Sequence, residues 1–99
     1  MTRLPAIDTI AGGIEGGIGA NTFPYIRDTI DKVILLSEEE IRRSVVWMLG
    51  HHRCLIEPSS AAALAALIFR KVKKLNGPTV VILTGRNIAL ETLRRIIGC

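Results

Sequence analysis

Aromatic residues are scarce in this chain. Phe23, Tyr25, Trp47 and Phe69 make up 4% of its 99 residues. Any core must therefore be aliphatic, and no row of stacking rings is available to hold single-stranded nucleic acid. Cysteine is nearly absent too. Cys54 and Cys99 show neither CxxC spacing nor a histidine pattern around them, so no disulfide scaffold or zinc site is expected. The opening MTRLPAID has no apolar run of the signal-peptide kind, and two reduced thiols in a cytoplasmic protein are the expectation. The longest mainly apolar stretch, Ala61 to Phe69, falls far short of the roughly 20 residues that cross a bilayer, so no membrane partner is expected. With 48% apolar residues and a net charge of only +4, disorder is excluded. Nine glycines and four prolines follow no period, which excludes a collagen-like chain. No repeat or linker interrupts residues 1–99, and the length suits one domain.

Acid is the other scarcity, and it is local. Residues 1–57 carry eight Asp/Glu against six Lys/Arg, whereas residues 58–99 carry Glu91 alone against seven Lys/Arg. Much of that excess has a local explanation: Arg70, Lys71, Lys73 and Lys74 close one expected helix and Arg94 and Arg95 another, where cations complement the helix dipole. Nucleic acid is not an expected partner.

The remaining pattern alternates helices with short apolar runs. Residues 11–19, AGGIEGGIG, are too glycine-rich for regular structure. Thr22 and Pro24 open an expected helix to Ile30. KVILL (32–36) reads as a buried strand. Ser37 with Glu40 forms a capping box that starts a helix to about His52, with Ile41, Val45, Met48, Leu49 and His52 inward. Pro58 starts a helix over 58–74, apolar nearly all round, which Asn76-Gly77-Pro78 stops. TVVILT (79–84) reads as a second buried strand. Asn87 caps a last helix, 88–97, with Leu90, Leu93 and Ile97 inward. Neither strand alternates polar with apolar residues, and the 37–78 connection suits a right-handed parallel crossover. The expected fold is therefore α/β: a partial three-layer unit with a small, mainly parallel sheet flanked by about four helices. Two strands leave open edges, which a third strand from the N-terminal segment or another chain would cover.

Few residues suggest chemistry. The glycine run fits no nucleotide fingerprint, although glycines before a helix can present N–H groups to an anion. Adjacent His51 and His52 diverge by about 100° on a helix and cannot chelate one metal together. Glu38, Glu39 and Glu40 suit a helix start. Glu57, between Leu55-Ile56 and an apolar helix, is either a partly buried site carboxylate or simply the cap of that helix. Thr84-Gly85-Arg86-Asn87 follows a strand end, where α/β proteins gather ligands, and equally suits a plain strand-to-helix turn.

Three segments together resemble the pyridoxal-phosphate (PLP)-dependent serine/threonine dehydratase and serine racemase family. They are NTFPYIRDTIDKVILLSEEEI (21–41), LIEPSSAAALAAL (55–67) and VVILTGRNIALETL (80–93), in the family's order and spacing. The resemblance spans roughly residues 6–97 and implies a fold type II scaffold. This chain would be the C-terminal part of its larger, cofactor-binding domain. It implies that Thr84, usually Ser in the family, offers its hydroxyl to the pyridine nitrogen. Gly85 and Asn87 match the second and fourth residues of the family's SGGN turn, while Arg86 replaces a glycine. Glu57 matches the glutamate of the EP[ST] motif near the cofactor. Gly12 stands where many members have Asp, and Ala20 where many dehydratases have Glu; Asn21 agrees with the racemase-like variant.

The family's cofactor-binding lysine, its phosphate loop and the Asn that contacts the 3′-hydroxyl have no counterpart among these residues. None of Lys32, Lys71, Lys73 and Lys74 has the lysine's context. The implied protein is a truncated dehydratase-like chain that does not bind PLP alone and has no independent activity, no catalytic residue and no metal ligand. Alternatives are a trans-complementing subunit of a split dehydratase or racemase, and a small-ligand or anion-binding regulatory module. Expected partners are further copies of the chain or a complementary enzyme chain.

Overall fold

Four α-helices carry residues 5–98, the part that the computed structural model describes. A 3-10 turn at Gly12–Ile14 precedes α1 (Phe23–Thr29), α2 (Glu38–His52), α3 (Pro58–Ile68) and α4 (Leu90–Ile97). The helix starts follow local chemistry. Ser37 Oγ accepts the Glu40 N–H at 3.2 Å, and the Glu40 carboxylate accepts the Ser37 N–H at 2.8 Å, closing the capping box of α2. Pro58 opens α3, where its missing N–H costs nothing. Helix ends use left-handed residues: Arg53 (φ 56°) after α2 and Gly98 (φ 81°) after α4. After α3, Arg70 takes φ 53°; its N–H donates to Leu67 O and the Lys71 N–H to Ala66 O, a Schellman closure.

The packing is organised around α2. Helices α3 and α4 lie against it, and the 3-10 turn lies against α3. Ile41, Val45 and Met48 of α2 meet Ile56, Ala61 and Ile96, with Ala11 sealing the cluster. Burying each large aliphatic side chain contributes about 1.5–3 kcal/mol. Ser44, fully buried, returns its hydroxyl proton to Glu40 O at 2.8 Å. Polar clamps fix the periphery. Glu38 accepts from Thr9 Oγ1 (2.6 Å) and the Ile10 N–H (2.8 Å), holding the incoming segment on the start of α2. Arg42 grips Glu39 with two bonds of 2.7 Å and donates to Ile96 O at 2.7 Å, which ties α4 to α2. Lys71, just beyond α3, meets Glu40 at 2.8 Å, so α3 runs back along α2.

The expected parallel sheet is absent. Among the described residues there is no strand, and no backbone group in 32–36 or 79–84 bonds to another backbone group. The runs are apolar enough for strands, but a strand exists only through a hydrogen-bonded neighbour, and neither run meets one. They keep a period of two in exposure instead. Val33 and Leu35 are 70% and 85% exposed and Val80 and Ile82 are 87% and 71% exposed, while Ile34, Leu36 and Val81 are half-buried. The expected α/β class thus gives way to an all-helical arrangement with two bare apolar runs.

Smaller corrections follow the same theme. Helix α3 stops at Ile68 rather than residue 74, because the Schellman turn acts before Asn76-Gly77-Pro78 is reached. It buries only Pro58, Ser60, Ala61 and Ala65, being covered by α2 and the short 3-10 turn. His52 is exposed, and α4 turns Ile96 inward while Leu90 stays 72% exposed. Ala89, not Asn87, is the N-cap of α4. His51 stacks on Trp47 at 4.6 Å and donates from Nδ1 to Trp47 O at 2.9 Å. Cys54 is an exposed free thiol; Cys99 lies outside the described residues.

Two measurements test this framework. Ser37→Ala removes the capping box and lowers stability by about 1 kcal/mol in denaturant unfolding. The Lys71 ammonium, with help from the Ser37 N–H, holds the Glu40 carboxyl below its ordinary 4.5. A depressed carboxylate stabilises the fold above its unfolded pKa, and that contribution is lost as pH falls through the lower folded value. Below about pH 4.5, Tm should fall less steeply in Glu40→Gln than in the parent.

Candidate functional site

Residues 55–60 bind the approach to α4 through reciprocal bonds. The Glu57 N–H donates to Gly85 O at 3.0 Å, and the Gly85 N–H returns to Ser60 Oγ at 2.7 Å. Glu57 occupies the N-cap position of α3 in an extended conformation, yet its side chain makes no capping bond. Its carboxylate instead accepts the Asn87 N–H at 2.9 Å. The cap reading of Glu57 therefore holds for its backbone alone. Its side chain belongs to the 84–87 turn.

Gly85 lets the Glu57 carboxylate sit close. A Cβ on it would lie 2.7 Å from Glu57 Cδ and from Oε1. Ser60 is only 3% exposed and is third in α3; its hydroxyl accepts from Gly85 across the helix start, with Thr84 Oγ1 3.4 Å away. On the other side, Ser59 Oγ accepts the Gly13 N–H at 2.9 Å, bringing the glycine run to the same helix start. An open cleft of about 320 Å³ lies beside these bonds, with Gly12, Gly13, Glu57, Ser59 and Asn87 among its lining.

Thr84, Glu57, Gly85 and Asn87, singled out in the sequence, are thus assembled in one place. Thr84 is exposed and stands outside the cleft lining; Glu57 and Asn87 line it. Gly12 joins them, whereas Ala20 and Asn21 lie in an exposed turn before α1 and do not line the cleft. Arg86 is exposed. Ser59 and Ser60 stand in the sequence as residues at a helix start, with no site role of their own. Their signal was positional: two hydroxyls directly after a proline that opens a helix, with N–H groups nearby in need of acceptors. Among the described residues, no group of three or more His, Cys, Asp or Glu is placed to hold a metal, and no helix is long and apolar enough to cross a membrane.

The arrangement is a rigid turn that presents one hydroxyl, with a carboxylate pinned behind it. Ser60→Ala strands the Gly85 N–H and should cost about 1–3 kcal/mol. Hydrogen exchange would show it first at the Gly85 amide. Gly85→Ala must push the Glu57 carboxylate away, so the Asn87 amide should lose protection by tenfold or more while α2 amides keep theirs.

Comparison with known proteins agrees with the motif reading. Residues 1–85 match the family described as pyridoxal-phosphate dependent enzyme. The chain is 41% identical over 98 residues to an L-threonine ammonia-lyase of Geobacter sulfurreducens, covering 98% of this chain and 24% of that protein. It is 33% identical over 101 residues to a catabolic L-threonine dehydratase of Escherichia coli, covering 99% of this chain and 31% of that one. Its structure is similar to the crystal structure of serine racemase from Dictyostelium discoideum, with a TM-score of 0.71 at 34% identity. That match covers 84% of this chain and 28% of the racemase. The chain spans about a quarter to a third of the relatives' length. It belongs to the pyridoxal-phosphate-dependent enzyme family, in its fold type II branch, and corresponds to the C-terminal part of the catalytic chain.

Proposed function

We propose that this chain carries one wall of a threonine/serine dehydratase-like cofactor site and has no catalytic activity by itself. The observation that supports this most is the bonded set Glu57–Gly85–Ser60, which holds Thr84, an exposed residue whose hydroxyl lies 3.4 Å from Ser60 Oγ, at the edge of a turn that has no side chain at Gly85. Such an edge suits a flat heteroaromatic ring: Thr84 would donate to the pyridine nitrogen, Gly85 would let the ring approach, and Glu57 with Asn87 would keep the turn from shifting. The fit ends there. Among the described residues no lysine lines the cleft, and Lys71 is engaged with Glu40. A bound cofactor of this kind draws electrons from the substrate's α-carbon. The chain's own residues supply neither the amine that would hold the cofactor covalently nor a cradle for its phosphate, and they move no proton in such a reaction.

A second reading is favoured by the intactness of the turn. A separate chain bearing the lysine and the phosphate loop would complete the site, with this chain contributing Thr84 and Glu57. Two experiments separate the readings. The purified chain, titrated with PLP and assayed for ammonia release from L-serine and L-threonine, should show no turnover; robust turnover by the isolated chain would overturn the first reading. Co-purification with a lysine-bearing chain would support the second. Thr84→Val should then lower kcat of the assembled pair by about tenfold or more, the worth of one ring hydrogen bond.

A further inference from the structure

The connector between α3 and α4 carries a motif that the fold leaves unused. Asn76-Gly77-Pro78 reads as the stop of a helix, yet α3 has already ended at Ile68. Asn76 and Gly77 are both exposed, as are Lys73 and Lys74 before them. An asparagine holds its side-chain carbonyl carbon, Cγ, beside the backbone nitrogen of the residue that follows. Attack of that nitrogen on Cγ closes a five-membered ring, and closure within one molecule is strongly favoured over reaction between two. Whether a given asparagine reacts depends on how free and how accessible that nitrogen is.

The chain has three asparagines, and the structure separates them. After Asn21, the Thr22 N–H donates to Gly19 O at 3.0 Å. After Asn87, the Ile88 N–H donates to Arg86 O at 3.1 Å. Each of these nitrogens must first give up a hydrogen bond, and each has a β-branched side chain beside it that stiffens and crowds the approach. After Asn76, the Gly77 N–H donates to no other backbone group among the described residues. Thr79 Oγ1 donates to Gly77 O at 3.4 Å, on the next peptide, and leaves that nitrogen untouched. Gly77 takes φ 143°, and a Cβ placed on it would meet nothing within 4 Å. The nitrogen thus lies in open space with no side chain to shield it. Residues 70–86 hold five Lys/Arg and no acid, a setting that favours loss of the nitrogen's proton and the appearance of a carboxylate.

We propose that the Asn76–Gly77 bond is a site of spontaneous modification, at which Asn76 is converted to aspartate and isoaspartate. The Gly77 nitrogen, its proton taken by hydroxide, bonds to Asn76 Cγ. The Cγ–Nδ2 bond breaks, ammonia leaves, and a succinimide remains. Water then opens the ring. Breaking the bond from Cγ to the Gly77 nitrogen gives aspartate. Breaking the bond from the main-chain carbonyl carbon to that nitrogen gives isoaspartate, with the chain running through Cβ. One water is consumed and one ammonia released, and nothing is oxidised or reduced. Either product is an ionised carboxylate at neutral pH and lowers the net charge of +4 by one. Isoaspartate also lengthens the connector backbone by one carbon. The inference stands on the connector and is independent of the cofactor-facing turn. Its ammonia is limited to one per chain, so it cannot pass for turnover of L-serine or L-threonine.

Incubation of the full chain in warm, mildly alkaline buffer, followed by peptide mass spectrometry, should show a one-dalton gain in the peptide that contains Asn76. An isoaspartyl methyltransferase with a labelled methyl donor should mark the same peptide. Helical circular dichroism should be unchanged, since the reaction needs no unfolding. Asn21 and Asn87 should convert about tenfold more slowly or less than that. Gly77→Ala should slow conversion about tenfold, by setting a side chain beside the nitrogen. Asn76→Gln keeps an exposed amide but must close a larger ring, and should abolish the signal. An Asn76 that stays intact while a synthetic peptide of residues 73–80 converts overturns the proposal. So does conversion at Asn21 or Asn87 as fast as at Asn76, or a Gly77→Ala chain that reacts at the parent rate.

Discussion

The backbone bond from the Glu57 N–H to Gly85 O, with the Gly85 N–H returned to the Ser60 hydroxyl, is the constraint on which the arrangement depends. It joins two parts of the chain that are remote in sequence. One leads out of α2 into α3, and the other leads into α4. It adds to the Ile96 contact and the Arg42 bond that hold α4 to α2. With it, the start of α3 becomes a fixed point, and the glycine run is drawn to the same place through Ser59. The candidate site is thus a by-product of how the helices are joined. Its residues are close because the chain needed their hydrogen bonds.

Much of this was legible where the physics is local. Ser37 and Glu40 announce the start of α2, since both bonds of the capping box lie within four residues. The proline at the start of α3 and the glycine after α4 are read as easily. What failed was non-local. KVILL and TVVILT carry strand-like composition, but composition says nothing of whether a partner backbone arrives, and among the described residues none does. The inward face of α4 was misjudged for a related reason. Leu90, Leu93, Ile96 and Ile97 allow more than one stripe, and the choice is made by α2, where Arg42 takes hold of Ile96 O.

The site divides along the same line. Glu57 and the Thr84-Gly85-Arg86-Asn87 stretch stood out by position and gained their roles from the family motifs, and the turn does bring Thr84, Glu57, Gly85 and Asn87 together. Periodicity alone would have found none of them. Ser60 near a helix start has an ordinary explanation in sequence, and its use here appears only when Gly85 folds against it. The close family likeness and the absent sheet are compatible. The chain spans 28% of the racemase it resembles, and a backbone trace can be shared while the neighbours that make a ladder are not.

The turn at 84–87 also governs where this protein has latitude. The Glu57 carboxylate stands against Gly85, so a side chain there must displace it from Asn87, while the next residue faces open solvent. Bulk and charge enter this stretch at Arg86, where a long cationic arm costs the packed interior nothing. The steric freedom of the loop is therefore lopsided from one residue to its neighbour. A lineage drifting in sequence would accumulate its novelty on the outer residue and leave the inner one bare.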